Sequence, residues 1–96
     1  MSALIDALEL VNNEESLLVF MAALHEDRRQ AVAAEELSPS SPYGQDAGGW
    51  ENTSIESFLE AAAAWAESTN FGLEQGIPAN PWRRFAQCLY AGKCYE

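Results

Sequence analysis

Hydrophobic residues recur along the chain at intervals of three and four, the spacing of a helix face, and no segment alternates as a half-buried strand would. In residues 3–11, Leu4, Leu8 and Val11 share one side and Asp6 and Glu9 take the other, which predicts a short N-terminal helix. The next segment opens at Asn12-Asn13-Glu14-Glu15-Ser16. Asn12 followed three residues later by Glu15 has the form of a capping box, and the paired acids suit the positive end of a helix dipole. An apolar block from Leu17 to Leu24 follows, and Ala31 to Glu36 keeps high helix propensity. The predicted helix therefore runs from residue 13 to about 36. Leu17, Met21, Leu24 and Arg28 form its stripe, broadened by Phe20 and Ala31.

A third helix is predicted from Thr53-Ser54-Ile55-Glu56, which reads as a capping box of the Thr-x-x-Glu type. With Ile55 as zero, Phe58, Leu59, Ala62, Trp65 and Ala66 fall at about 300°, 40°, 340°, 280° and 20°, one continuous face. Glu56, Glu60 and Glu67 fall at about 100°, 140° and 120°, an acidic stripe beside that face. Asn80-Pro81 predicts the last helix, with Asn as N-cap and Pro at the first position. Trp82, Phe85, Ala86 and Leu89 form its apolar face, and Gly92 reads as its stop. Residues 38–50 hold two prolines, three glycines and three serines, so they read as a long loop. A second irregular segment, 68–80, has Phe71, Leu73 and Ile77 as candidate anchors. The expectation is an all-α domain: three main helices and a short N-terminal one, with two long loops. Its predicted core is Leu17, Met21, Leu24, Ile55, Phe58, Leu59, Trp65, Trp82, Phe85 and Leu89.

Ninety-six residues, 48% hydrophobic and 21% charged, describe one globular domain spanning 1–96. Five basic and 15 acidic residues leave a net charge of −10. That balance argues against nucleic acid, whose phosphates demand a Lys/Arg surplus. No apolar run nears the roughly 20 residues of a membrane span. Met1-Ser2-Ala3-Leu4-Ile5-Asp6 lacks a basic leader, so the expected location is the cytoplasm. There Cys88 and Cys94 are expected to be free thiols.

Candidate chemistry is sparse. His25 is the one histidine, and pairing it with Cys88 or Cys94 as a nucleophile would require a spatial closeness that its charged neighbours, Glu26 and Asp27, argue against. Two cysteines and one histidine do not complete a zinc site. Gly44, Gly48 and Gly49 are not followed by the Lys-Ser/Thr of a phosphate loop. Glu56 and Glu60 share a face, yet no Glu-x-x-His exists to complete a dimetal site, and Asp46 lacks a calcium-loop ligand series. No catalytic residue, metal or cofactor is expected, and the chain is not expected to be an enzyme. Trp65 and Trp82 read as core. Trp50 reads either as a staple between the loop and the third helix or, with Tyr43, as an interface anchor. Arg83 and Arg84 are expected to pair with nearby carboxylates.

The run Trp50-Glu51-Asn52-Thr53, with Phe58-Leu59-Glu60-Ala61 and Trp65, then Pro81-Trp82 and a closing Tyr95-Glu96, resembles a group of small acidic one-domain bacterial proteins of unknown function. The Glu15-Ser16-Leu17 start is similar as well. The resemblance implies no activity and no cofactor. In general form such proteins are similar to immunity proteins, by analogy alone. The expected function is therefore a non-enzymatic acidic module that binds a basic protein, an immunity-type neutraliser of a toxin among the options. Its candidate contact residues are Tyr43, Asp46, Trp50, Glu51, Glu56, Glu60 and Glu67. The alternative is a small accessory domain that self-associates, as a homodimer for example, through the Leu17–Leu24 block. For the acidic stripe two explanations stand: either Arg28-Arg29 or Arg83-Arg84 lie across from it, or it faces a basic partner.

Overall fold

The computed structural model describes residues 3–39 and 47–95. Four α-helices and no β-strand are found among them: α1 (Ala3–Glu9), α2 (Glu14–Leu37), α3 (Ile55–Thr69) and α4 (Pro81–Cys94). Short 3-10 turns occupy Ala47–Gly49 and Leu73–Gln75. The all-α architecture is the expected one, a short N-terminal helix followed by three longer ones.

Two helix starts differ from expectation by one residue. Asn13, not Asn12, caps α2: its side-chain oxygen accepts from the Ser16 N–H at 2.9 Å, and the Ser16 hydroxyl accepts from the Asn13 N–H at 3.0 Å. At α3 the box is Ser54 with Ser57, not Thr53 with Glu56. The Ser54 hydroxyl accepts from the Ser57 N–H at 3.1 Å, and the Ser57 hydroxyl accepts in return from the Ser54 N–H at 3.3 Å. In both boxes a serine at the third helical position replaces the longer Glu. It closes the same pair of bonds with fewer rotatable bonds to fix. Asn80 caps α4 as predicted, accepting from the Arg83 N–H at 3.0 Å with Pro81 first in the helix.

Helix α4 lies at the centre, packed against α3, α2 and α1, while α1 also packs on α2. Asn80 donates to the Asn12 carbonyl at 3.0 Å, and Lys93 reaches Asp27 at 2.8 Å, so α2 and α4 run in the same sense. Phe58, near the start of α3, lies against Gly92, near the end of α4, so α3 runs the opposite way. The main core is built from Leu4, Leu8, Val11, Leu17, Phe20, Leu24, Ala31, Trp50 and Ala86, and Phe20 is fully enclosed. A smaller one joins Trp65 and Ala66 to Ala91.

The predicted core needs correction. Leu17, Leu24 and Trp65 are buried, and Phe58 and Leu89 are half-buried, but Met21, Ile55, Leu59, Trp82 and Phe85 are exposed. The physical reason is coverage. The apolar stripe of α3 is wider than the surface α4 presents to it, and α1 supplies core that the long helices were expected to supply. Phe71 and Leu73 are likewise exposed, with Ile77 half-buried. That connection is held instead by buried Thr69, whose hydroxyl donates to the Trp65 carbonyl and accepts from the Gly72 N–H. Gly92 does not stop α4, which continues to Cys94. Glycine is required there because a Cβ would stand 2.7 Å from the Phe58 ring.

The capping geometry separates two neighbouring residues experimentally. Ser54→Ala is expected to lower stability by about 1 kcal/mol, and Thr53→Ala by less than about 0.5 kcal/mol, in urea denaturation. Equal losses would place the cap elsewhere.

Candidate interaction site

The stretch Trp50-Glu51-Asn52 fastens the end of α4. The N–H groups of Glu51 and Asn52 both donate to the Lys93 carbonyl, at 3.0 and 3.3 Å. The Asn52 amide donates to the carbonyls of Gly92 and Tyr95, at 3.0 and 2.9 Å. Helix ends leave carbonyls without intrahelical partners, and here a neighbouring strand of loop supplies the donors. Trp50, 4% exposed, sits between the helices: its indole N–H donates to Asp27 at 3.0 Å and its ring stacks on Phe58, with centroids 6.4 Å apart. The Asp27 carboxylate also accepts from Lys93, whose ammonium stands 5.6 Å from the Trp50 ring centroid. The Arg28 guanidinium lies over the same ring at 5.1 Å.

Helices α2 and α3 share no packed interface, and α4 floors the space between them. A groove of about 350 Å³ opens there, walled by Met21, Leu24 and Arg28 from α2 and by Ile55 and Phe58 from α3, with Leu89 and Trp50 beneath. The exposed apolar residues extend it. Trp82 and Phe85 lie on the same side of α4 as Leu89, at i, i+3 and i+7, and are 37% and 48% exposed. Leu59, one turn on from Ile55, is 60% exposed on the rim. At the far end, Phe71 meets Phe85 and Arg84 in a second depression. The trough along α4 is thus made of two separate depressions with the exposed Trp82 and Phe85 side chains between and beside them.

Glu56, Glu60 and Glu67 are all exposed, about 60–100° farther around α3 than Leu59, beyond the trough's rim, and none of them lines either depression. None of the five basic residues is paired with these three carboxylates, although Arg28 stands in the groove wall and Arg28 Nη1 and Arg83 Nε are buried without a hydrogen-bond partner. Arg28 covers Trp50, Arg29 pairs with Glu26 at 2.9 Å, and Lys93 pairs with Asp27. Arg83 donates to the Glu9 carbonyl, and Arg84 to the carbonyls of Pro78 and Ile77. The expected pairing of Arg83 and Arg84 with carboxylates is therefore replaced by bonds to backbone oxygens, because both stand beside chain turns whose carbonyls need donors. No ion pair reaches the stripe among the described residues. The internal explanation of the stripe therefore has no ion pair behind it among the described residues.

Of the other sequence-derived candidates, Glu51 is half-buried at the α4 clasp, and Tyr43 and Asp46 lie outside the described residues. Asn52 and Asp27, the polar centre of the junction, were not singled out from the sequence. Asn52 stands in the quoted Trp50-Glu51-Asn52 run, but its partners lie about 40 residues away. Among the described residues no group of His, Cys, Asp and Glu could hold a metal ion. His25 is exposed on α2. The Cys88 thiol is directed at the Ala62 carbonyl and the Cys94 thiol at the Tyr90 carbonyl. Burial pushes both thiols above their ordinary pKa. Glu26 is held below the usual carboxylate range by its hydrogen bond from Arg29. No helix among the described residues is long and apolar enough to cross a membrane.

Two outcomes are expected here. Asp27→Ala removes the acceptor of a buried ammonium and of an indole, and should lower stability by about 1.5–3 kcal/mol in urea denaturation. A loss under about 0.5 kcal/mol would remove the junction from its central place. Both cysteines should titrate as free thiols in the unreduced protein, slowly near neutral pH, where their raised pKa keeps them protonated, and quickly in denaturant. Rapid labelling of the native protein would contradict the half-buried placement of both thiols.

No curated protein and no solved structure matches the chain. A family model does, over residues 13–96, which takes in the α2 cap, the α4 clasp and both walls of the trough. The chain belongs to the family of unknown function DUF7660.

Proposed function

We propose that this protein is a non-enzymatic binding module that docks a basic protein partner across the trough and the acidic edge of α3, as an immunity-type protein covers a basic toxin. The observation that carries this reading is the trough itself: a set of large apolar side chains left in water, with three carboxylates beyond its rim that no ion pair answers among the described residues. Contiguous exposed apolar surface beside charge is the usual composition of a protein interface. A net charge of −10, with every basic residue engaged in internal contacts, presents a strongly negative field that speeds encounter with a cationic partner and turns polyphosphates away. Glu56, Glu60 and Glu67 are the residues assigned to the electrostatic contact, with Glu51 at its end. Two free thiols support a cytoplasmic setting.

A second reading, self-association through the Leu17–Leu24 block, has one observation in its favour: Leu18 and Val19 are 64% and 63% exposed. Like charge on two copies opposes it.

One experiment addresses both. Tagged protein, wild type or Glu60→Lys with Glu67→Lys, is used to capture partners from its source cells at low and high salt. Any captured species is then purified and its affinity measured. The docking reading expects a basic partner whose association slows severalfold in the double variant and loses part of its salt dependence, with the melting temperature nearly unchanged. Binding unaffected by the double variant would overturn the assignment. A dimer in sedimentation that persists at high salt would favour the second reading.

A further inference from the structure

We infer that the trough is a vacant helix position, and that its occupant is an amphipathic helix of the partner, with an apolar face on α4 and Lys or Arg along the edge that meets α3. The inference rests on the binding-module reading and names the partner's form.

Helix α4 is covered by α1 and α2 on one side and by α3 on another, through Ala86, Lys93, Cys88, Ala91 and Gly92. The less covered sector carries exposed Trp82 and Phe85 and half-buried Leu89 in a row. At about 100° per residue this row lies between the sectors facing α2 and α3. Met21 rises on one side of it, Ile55 and Leu59 on the other. Two helices flanking a third, with a less covered row along the third, is a bundle lacking one member. A helix laid over α4 at the usual 8–10 Å would complete it. A strand would satisfy the row poorly, because the flanking walls are side chains and offer no backbone edge to pair with. The exposed rim of α3 from Ile55 to Glu67 is about 18 Å long, which calls for a peptide of roughly 12–14 residues.

Charge then selects the occupant. A second copy of this chain would bring another −10 to a site with three unpaired carboxylates beyond its rim. A cationic helix meets them favourably. The preference is one-sided. On the α2 wall stands Arg28, a cation held over Trp50 that repels Lys or Arg, while Glu26 is closed on Arg29. Basic residues are therefore expected only on the helix edge facing α3, and this fixes the occupant's rotation about its own axis.

The test uses three Trp-free peptides of 14 residues: a Leu/Lys helix with Leu at i, i+3, i+4 and i+7 and Lys on one flank, the same composition shuffled, and the helix with Lys replaced by Glu. Trp50 and Trp65 are 4% exposed, so Trp82 reports on the trough through its emission and its quenching by acrylamide. The Leu/Lys helix should shift Trp82 emission to the blue and protect it, and the other two should not. Leu59→Asp and Phe85→Asp should each weaken binding at least about tenfold, while Val19→Asp, on the opposite side of α2, leaves it unchanged. All three positions are exposed, and a thermal melt confirms that each variant folds. Absence of binding, equal binding of the shuffled peptide, or loss of binding in Val19→Asp would overturn the vacant helix position. So would a dimer that shields Trp82 without peptide, since the occupant would then be a second copy. If no peptide binds but partner capture still depends on Glu60 and Glu67, the helix position fails while the binding module stands.

Discussion

The end of α4 is where the fold is decided. Three carbonyls at that end, those of Gly92, Lys93 and Tyr95, lie where the helix is enclosed by its neighbours, and an enclosed carbonyl without a donor is costly. Asn52 and the backbone of residues 51–52 supply the donors. That requirement draws the loop across the helix end and delivers Trp50 into the space between α2 and α3. There its ring meets Phe58, its N–H meets Asp27, and two cations flank its faces. Asp27 in turn neutralises Lys93, the one ammonium in the chain and 8% exposed. Each partner in this junction answers a need created by another, which is why its removal would be felt in α2, α3 and α4 together.

The trough follows from the same arrangement. Trp50 bridges α2 and α3 at one end through Asp27 and Phe58, and both helices pack on α4 without a packed interface with each other. Gly92 lets Phe58 approach the α4 backbone closely, which seats the start of α3 low against α4 and turns Ile55 and Leu59 outward. The apolar surface left in water is thus a geometric consequence of the junction.

Much of this was legible in the sequence, and the misses share a cause. Helix existence rests on local period, and all four helices were foreseen. Caps depend on one hydroxyl or amide among adjacent candidates, and both displaced boxes fall at such pairs, Asn12-Asn13 and Thr53-Ser54. Core membership depends on what covers a stripe. Periodicity gives the width of the α3 and α4 stripes and says nothing of the missing cover, so Ile55, Leu59, Trp82 and Phe85 read as core. The acidic stripe needed only the helix angle and was visible. That no cation answers it was not, because Arg83 and Arg84 turned to carbonyls of residues far away or in a turn. Asn52 was invisible as a clasp for the same reason: its role is set by partners 40 residues on.

An exposed apolar row is ordinarily a hazard, since it invites copies of the chain to associate through it. The charge bears directly on that hazard. A net −10 makes each encounter between copies repulsive, and engaging all five basic residues in internal contacts leaves little positive surface for another copy's carboxylates to find. The same field draws a cationic surface in. Under the proposed function, one charge distribution would both oppose a second copy and favour a basic partner, without any residue in the trough having to discriminate. On this account the acids and the apolar row are a single device. Either alone would be an ordinary feature of a small helical protein, a solvated face or a loosely covered stripe. Under the proposed function, together they would let a domain of 96 residues leave large side chains uncovered while opposing association with its own copies.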